Sequence, residues 1–498
     1  MYNYERMTVR RFRTLYVRKR QMTHRHRRIV VHRFQKFCEI KAKTASEVGF
    51  SRLGIGCEKL DRAVFDPEKA YGRLAQIGVK HVRLQSGWER TEKERGVYDF
   101  AWLDAIADRL IADGMRPWLC LCYGNPLYSE AAKAVFGSVG IPPIGTEEER
   151  EAWRAYVRAT VAHFRGRICE YEVWNEPDGK HCWKHGVNAA EYGRFAADTA
   201  RAVKETDPGA KVYVGAMCNG NLPFVCEAAS EGMLELADAI TYHCYTPFDR
   251  VMRDQLTTLK ALAERLKPGL KVIQGESGAQ SRAGGNGALK TGAWTEEKQA
   301  KYMARHLVTD LYNGVEFASY FSTMDMIEAL NGTNGEVGSY LDYGYFGVLG
   351  ANFDENGFAV GDYTPKPSYR TLQVLASVFE GEWKPTLLPV QPRPVKSPLV
   401  FGDDVMDFSL QVCSFERPDG SAATVYWNAV DLMTSTFAGT ETFRIGGMTE
   451  DIRLVDLCDG SVYRVPESVV EPLPGGYNLK NMPLTDRPMM IEFGRFVR

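Results

Sequence analysis

From Phe50 onward the chain alternates short apolar runs with longer amphipathic ones, and this alternation can be followed through eight units. Strands are predicted at 51–58, 81–88, 116–123, 169–176, 211–217, 239–245, 271–276 and 315–322. Helical periodicity occupies 67–77, 100–112, 147–164, 189–205, 252–266 and 296–312 between them. Eight strand and helix pairs are what a (β/α)8 barrel needs. A doubly wound sheet would alternate in the same way, but no glycine-rich phosphate loop follows the first strand. A further helix at 367–379 closes the barrel. The long connection before it, 325–366, is rich in Gly, Asn and Tyr and falls on the face where barrels carry their sites.

Two of these strands end in a glutamate. In CEYEVWNEPD, residues 169–178, the alternating Tyr171-Glu172-Val173-Trp174 fits a strand, and Pro177 removes a backbone donor where sheet pairing should stop. Glu176 therefore stands at a strand's C-terminal end. In KVIQGESGA, residues 271–279, Val272 and Ile273 lead into Glu276, with glycines at 275 and 278 expected to turn the backbone sharply. One strand-end glutamate is ordinarily a solvated rim residue or half of a salt bridge. Two of them on one barrel rim have the chemistry of glycoside cleavage, in which one carboxyl protonates the leaving oxygen and the other attacks or stabilises an oxocarbenium-like centre. Strands converging on one rim would place the pair about 5–5.5 Å apart, the spacing of a retaining mechanism.

Beyond Gly381, prolines 385, 389, 392, 394 and 398 predict a stiff linker. Short alternating runs at 423–427, 442–445 and 489–493 then predict a small β-sandwich, with Tyr426 and Trp427 as core. The expected organisation is a basic arm over 1–45, a catalytic barrel over 46–383 and a sandwich over 384–498. The arm gathers Arg10, Arg11, Arg13, Arg18, Lys19, Arg20, Arg25, Arg27, Arg28 and Arg33 with His24, His26 and His32. No aromatic platform accompanies this charge, so it reads as a disordered leader dispensable for chemistry rather than a nucleic-acid arm.

Over all 498 residues, 62 Lys and Arg stand against 63 Asp and Glu, and a net charge of -1 gives no global attraction to nucleic acid or anionic membrane. The 11 cysteines lack metal-ligand spacing, and Cys120 and Cys122 share a strand face where they cannot easily bridge. Cys169 and Cys244 fall in predicted core strands, as free thiols do in a reducing compartment. No run approaches a membrane span or signal-peptide core. The expectation is a cytoplasmic enzyme with a glycoside or oligosaccharide substrate and no metal, cofactor, nucleic-acid or membrane partner. Self-association is left open.

With VRLQSGW at strand two, VWNEP at strand four and QGES at strand seven, residues 50–498 resemble the clan A retaining glycoside hydrolases. Within the clan the chain most resembles family 39, of beta-xylosidase and alpha-L-iduronidase type, through Glu58-Lys59-Leu60-Asp61, Tyr123-Gly124-Asn125-Pro126 and the barrel-plus-sandwich layout. The resemblance implies Glu176 as acid/base, held protonated by burial, and Glu276 as nucleophile, kept ionised by neighbours of which Arg83 is the natural cation. It gives Asn175 to the sugar 2-hydroxyl, Tyr245 and His243 to the nucleophile's side, and Glu58 to a terminal hydroxyl. Trp88, Trp174 and Tyr123 would stack on sugar, with Asn125 in the same pocket. Strand eight departs from the clan, reading Ser319-Tyr320-Phe321-Ser322 where many members carry tryptophan, so Tyr320 or Phe321 would line the first subsite. An exo-acting xylosidase- or arabinosidase-like hydrolase is expected; the alternatives are an endo-acting glycanase and a non-catalytic sugar-binding barrel.

Overall fold

The computed structural model describes residues 34–133, 138–328, 342–393, 409–449 and 451–497. Two compact units result, one spanning 41–382 and the other combining the chain before it, described from residue 34, with 383–498.

The larger unit is a closed parallel barrel of eight strands: β1 (Leu53–Gly56), β2 (His81–Gln85), β3 (Arg116–Leu121), β4 (Glu170–Val173), β5 (Lys211–Met217), β6 (Ala239–His243), β7 (Lys271–Ser277) and β8 (Ala318–Tyr320). Closure is by β1 against β8, with Leu53 opposite Ala318 and Ile55 opposite Tyr320. All eight expected strands are present in the expected order; Lys211–Met217 has the expected bounds, Lys271–Ser277 runs one residue further, and the other six are shorter than expected. Several helices begin where a side chain caps them. Thr146 accepts from the amide of Glu149 ahead of Glu147–Phe164, and Asn188 and Thr295 cap Ala189–Thr206 and Glu296–Tyr312 in the same way. Three glutamates in the first turn of Glu147–Phe164 add favourable charge at the positive end of its dipole. The described parts of 325–366 fold into two antiparallel hairpins, Met326–Ile327 with Tyr343–Gly344 and Leu349–Phe353 with Ala359–Pro365.

Inside the barrel the odd and even strands differ. Trp118 of β3, Tyr213 of β5 and Ile273 of β7 pack with Ala239 and Phe317 as an apolar layer. The even strands bring charge instead: Arg83 of β2 and Glu172 of β4 are fully buried and paired at 2.5 Å, with the guanidinium 5.5 Å from the Trp118 ring. A charge this deep is tolerable only when compensated, and this pair forms the floor on which the site is built.

The smaller unit is a sandwich of two antiparallel sheets. One runs in the order Lys36–Glu39, Ser461–Arg464, Arg453–Asp456, Met489–Val497, Ser421–Asn428, Leu410–Glu416 and Lys384–Pro385. The other runs Val390–Arg393, Ala438–Gly446, Gly476–Thr485 and Val470–Leu473. Tyr426 and Trp427 are buried, as expected of core residues, and the Tyr426 hydroxyl donates to the Pro483 carbonyl at 2.8 Å.

Three expectations are corrected. The proline-rich stretch is not simply a linker: Pro385 and Pro392 lie in strands at sheet edges, where a missing N–H leaves no ladder gap, while Pro394 and Pro398 lie outside the described residues. The arm does not stay separate to residue 45. Lys36–Glu39 forms an edge strand on Ser461–Arg464, and Phe34 enters the sandwich core, whereas the arginine-rich positions 10–33 lie outside the described residues. Cys169 is exposed, because β4 begins only at Glu170; Cys244 is buried as expected. No disulfide joins any of the eleven cysteines.

Candidate active site

At the C-terminal ends of β4 and β7, Glu176 and Glu276 face each other, both largely buried. One carboxylate oxygen from each, together with a ring nitrogen of His243, lies within 4.8 Å of the others. The backbone reaches this arrangement differently on the two sides. After β4 the chain turns through left-handed conformations at Trp174 (φ 68) and Glu176 (φ 48), unusual for residues with side chains. Hydrogen bonds hold it there: Trp174 N to Leu121 O at 3.1 Å, Glu176 N to Ala216 O at 3.0 Å and Trp174 Nε1 to Cys182 O at 2.7 Å. After β7 the expected glycine turn is absent, since Gly275 and Gly278 have ordinary φ values. Gly278 is required for close approach instead, as a Cβ there would stand 2.0 Å from the Phe321 carbonyl oxygen.

Arg83 organises the floor. Its Nε and Nη2 donate to Glu172 at 2.8 and 2.5 Å, Nη2 also to Asn175 Oδ1 at 2.8 Å, and Nη1 to Glu276 Oε1 and, at 3.4 Å, to Glu58 Oε1. One cation thus fixes three carboxylates. The Tyr245 hydroxyl donates to Glu276 Oε2 at 2.8 Å. His243 Nδ1 lies 2.8 Å from Glu176 Oε1 and 3.5 Å from Glu276 Oε2, bridging the pair rather than serving the nucleophile alone.

The electrostatics revise the expectation for Glu176. Burial would raise its carboxyl, but hydrogen bonds from His181 and His243 outweigh burial and hold it well below the usual carboxylate range. His181, bonded to the Cys182 thiol and to Glu176, is pushed up to about 11. Burial lowers His243, yet its carboxylate neighbours, Glu276 foremost, leave it raised. Glu58 is the carboxyl held towards its neutral form, raised to about 7 by burial and then by the charge of Glu276.

Glu58, Arg83, Asn175, His243 and Tyr245 thus join Glu176 and Glu276, while four other expected residues stand elsewhere. Trp88 is fully buried, its ring between Tyr128 and Tyr156 at 5.4 and 5.5 Å, because the short helix Trp88–Thr91 turns it away from the rim. It offers no face to a sugar. Trp174, equally buried, packs edge-on to Tyr123, Trp153, Trp183 and Phe195. Asn125 spends its amide on the Glu92 carbonyl at 3.0 Å and on the Leu127 N–H at 2.9 Å, bracing a loop. Tyr320 is fully buried and accepts from the Ala279 amide at 3.4 Å. Phe321, which keeps slight exposure, packs edge-on to Tyr245 at 6.4 Å. Tyr123 is nearly buried, accepts from Gln85 at 3.2 Å and carries the Arg62 guanidinium 5.7 Å from its ring, so it forms a wall and not a stacking platform.

Sequence reasoning missed Glu172, His181 and the buried Lys59–Glu328 pair at 3.2 Å. Glu172 was visible as the inward member of the β4 alternation; His181 and Glu328 reach the site on loops, which periodicity does not reach.

The family model "Glycosyl hydrolases family 39" matches residues 40–255. A beta-xylosidase of Geobacillus stearothermophilus is 28% identical over 224 residues, 40% of this chain and 42% of that protein. The chain spans less than half the length of the curated relatives it matches. Among solved structures, a family 39 glycoside hydrolase from the gut symbiont Bacteroides cellulosilyticus WH2 superposes with a TM-score of 0.61 at 18% identity, over 89% of this chain and 80% of that one. A monomeric beta-xylosidase from Caulobacter crescentus CB15 gives 0.56 at 18% identity, over 92% and 98%. The chain is similar to the clan A glycoside hydrolases. Within that clan it is most like family 39.

Proposed function

We propose that the protein is a retaining exo-glycosidase of beta-xylosidase type. The observation that carries this is the approach of the Glu176 and Glu276 carboxylates to within 4.8 Å, which fits direct attack on the anomeric carbon and is too close for a water between glutamate and sugar. Glu276 is the nucleophile: Arg83 and Tyr245 each donate to one of its two oxygens and orient it. Glu176 delivers a proton to the leaving oxygen from the hydrogen bonds it shares with His181 and His243, and in the second step takes one from the attacking water. Asn175, fixed through Oδ1 by Arg83 and donating one amide hydrogen to Cys182 Sγ, has its second amide hydrogen for the sugar 2-hydroxyl. Exo action on a xyloside is supported by the names of two curated relatives, the beta-xylosidases of Geobacillus stearothermophilus and Caldicellulosiruptor saccharolyticus.

The test combines a panel of nitrophenyl glycosides with proton NMR of the first-formed sugar. Retention of the anomer and release of single sugars from xylo-oligosaccharides are expected. Glu276→Ala should abolish turnover. Glu176→Ala should spare the first step for good leaving groups, and added azide should restore turnover. An inverted first product, or near-normal activity in Glu276→Ala, would refute the assignment.

A further inference from the structure

The turn after Glu176 brings together three side chains that catalysis by two carboxylates does not require to meet. Glu176, His181 and Cys182 each present one ligand-type atom, carboxylate oxygen, imidazole nitrogen and thiol sulfur, and all three atoms lie within 4.8 Å of one another. Their spacing in sequence, one residue followed by two adjacent ones five and six positions on, matches no common zinc signature, and only the fold unites them. The turn is tightly built. Gly179 N donates to Glu176 O at 3.0 Å, Cys182 N to Gly179 O at 3.1 Å, and the Trp174 indole to Cys182 O at 2.7 Å. Its three candidate ligands are therefore held before any ion arrives.

We propose that Glu176, His181 and Cys182 form a site for a soft divalent cation, with zinc as the type ion, and that an ion bound there withholds Glu176 from the reaction. The ligand set is one that borderline ions prefer to magnesium or calcium. Donors at about 2.0–2.3 Å from a tetrahedral ion stand roughly 3.3–3.8 Å apart, so Glu176 and His181, now in hydrogen-bond contact, would separate while Cys182 closes by at most about 1 Å. Two of the three ligands have a further partner that orients them, as metal ligands do. His243 holds Glu176 Oε1 at 2.8 Å, leaving Oε2 towards His181, while the Asn175 amide points at Cys182 Sγ at 3.4 Å. The His181 side chain is 37% exposed and gives an entry path, whereas Cys182 is fully buried behind it. A second thiol is close: Cys218 Sγ and His181 Nδ1 each lie 3.0 Å from the point where a Cβ on Gly179 would stand. The ion would replace the proton shared between Glu176 and His181 and that of the Cys182 thiol, both released to solvent. Glu176 would then have no proton to deliver, and its bond to the cation would make it a poor base.

The inhibitory half of this proposal rests on the function proposed above; the binding half does not. Cobalt(II) serves as the probe for the full chain, since a cobalt–thiolate bond absorbs in the near ultraviolet. One equivalent should bind with that band, zinc should displace it, Cys182→Ser should lose it, and His181→Gln should weaken binding tenfold or more. In parallel, zinc should inhibit aryl-glycoside hydrolysis reversibly to chelator, with the half-inhibiting concentration raised at least tenfold in His181→Gln. If Cys182→Ser does not fold, the His181→Gln affinity decides. Absence of the band, its persistence in Cys182→Ser, unchanged affinity in His181→Gln, or a bound ion without inhibition of an active enzyme would overturn the proposal. Should no glycoside be cleaved, the proposed function fails while the cobalt titration still reads the site.

Discussion

Arg83 shows how much of the active site hangs on one side chain. It is fully buried and reaches Glu58, Glu172 and Glu276 at once. Removing one partner of a buried pair leaves the other charge uncompensated, at a cost of about 3–5 kcal/mol. Arg83→Met should therefore lower the free energy of unfolding by about that amount in urea titrations, and should lower activity further by freeing Glu276. Glu58 yields a pH dependence. Its folded pKa of about 7 lies above the ordinary carboxyl value of 4.5, so the folded state holds the extra proton between those limits. Its contribution is full below the unfolded pKa and is lost as pH rises through the folded one, a decline of the order of 3 kcal/mol between pH 5 and 8. Glu58→Gln should flatten that slope, and a wild-type slope unchanged by the substitution would contradict it. Residues on strands were legible from alternation and strand ends: Arg83, Glu176, Glu276 and Tyr245 all face the pocket. Trp88 and Tyr320 were not, because an aromatic at a strand end has the same local pattern whether it lines a pocket or caps a barrel, and only the path of the following loop decides.

Among the elements, the barrel strands and their long helices were legible because amphipathic periods of 2 and 3.6 residues are sustained there over several turns. The helix Leu222–Ser230, the two hairpins of 325–366 and the strand Lys36–Glu39 were not, being too short to establish a period. That last strand changes what truncation should do. It covers the edge of Ser461–Arg464, and Phe34 just before it is only 6% exposed within the sandwich core. A chain beginning at residue 41 should lose stability in its smaller unit by about 3–5 kcal/mol, the cost of deleting a buried phenylalanine. Phe34→Ala in the full chain should reproduce most of that loss in the sandwich's melting transition. An unchanged transition in both would show that neither strand nor ring is needed.

Taken whole, a molecule with a net charge of -1 gathers four buried carboxylates, Glu58, Glu172, Glu176 and Glu276, around Arg83 and His243. An enclosure lined with carboxylates suits a reaction whose transition state is positive. The two rims of this enclosure are unequal in a way that bears on motion. Trp174, Glu176 and Ala216 all adopt left-handed backbone, at about 1–3 kcal/mol each, and meet through the Glu176 N to Ala216 O bond, while Gln274 to Ser277 on the opposite rim carry no such conformation. Strain held in the closed form is returned when a segment opens, so it subtracts from the free energy of local opening. Amides of 174–176, 178, 216 and 217 should exchange with deuterium faster than those of 274–277, although both rims are buried. The side that carries the acid would thus breathe while the side that carries the nucleophile stays shut.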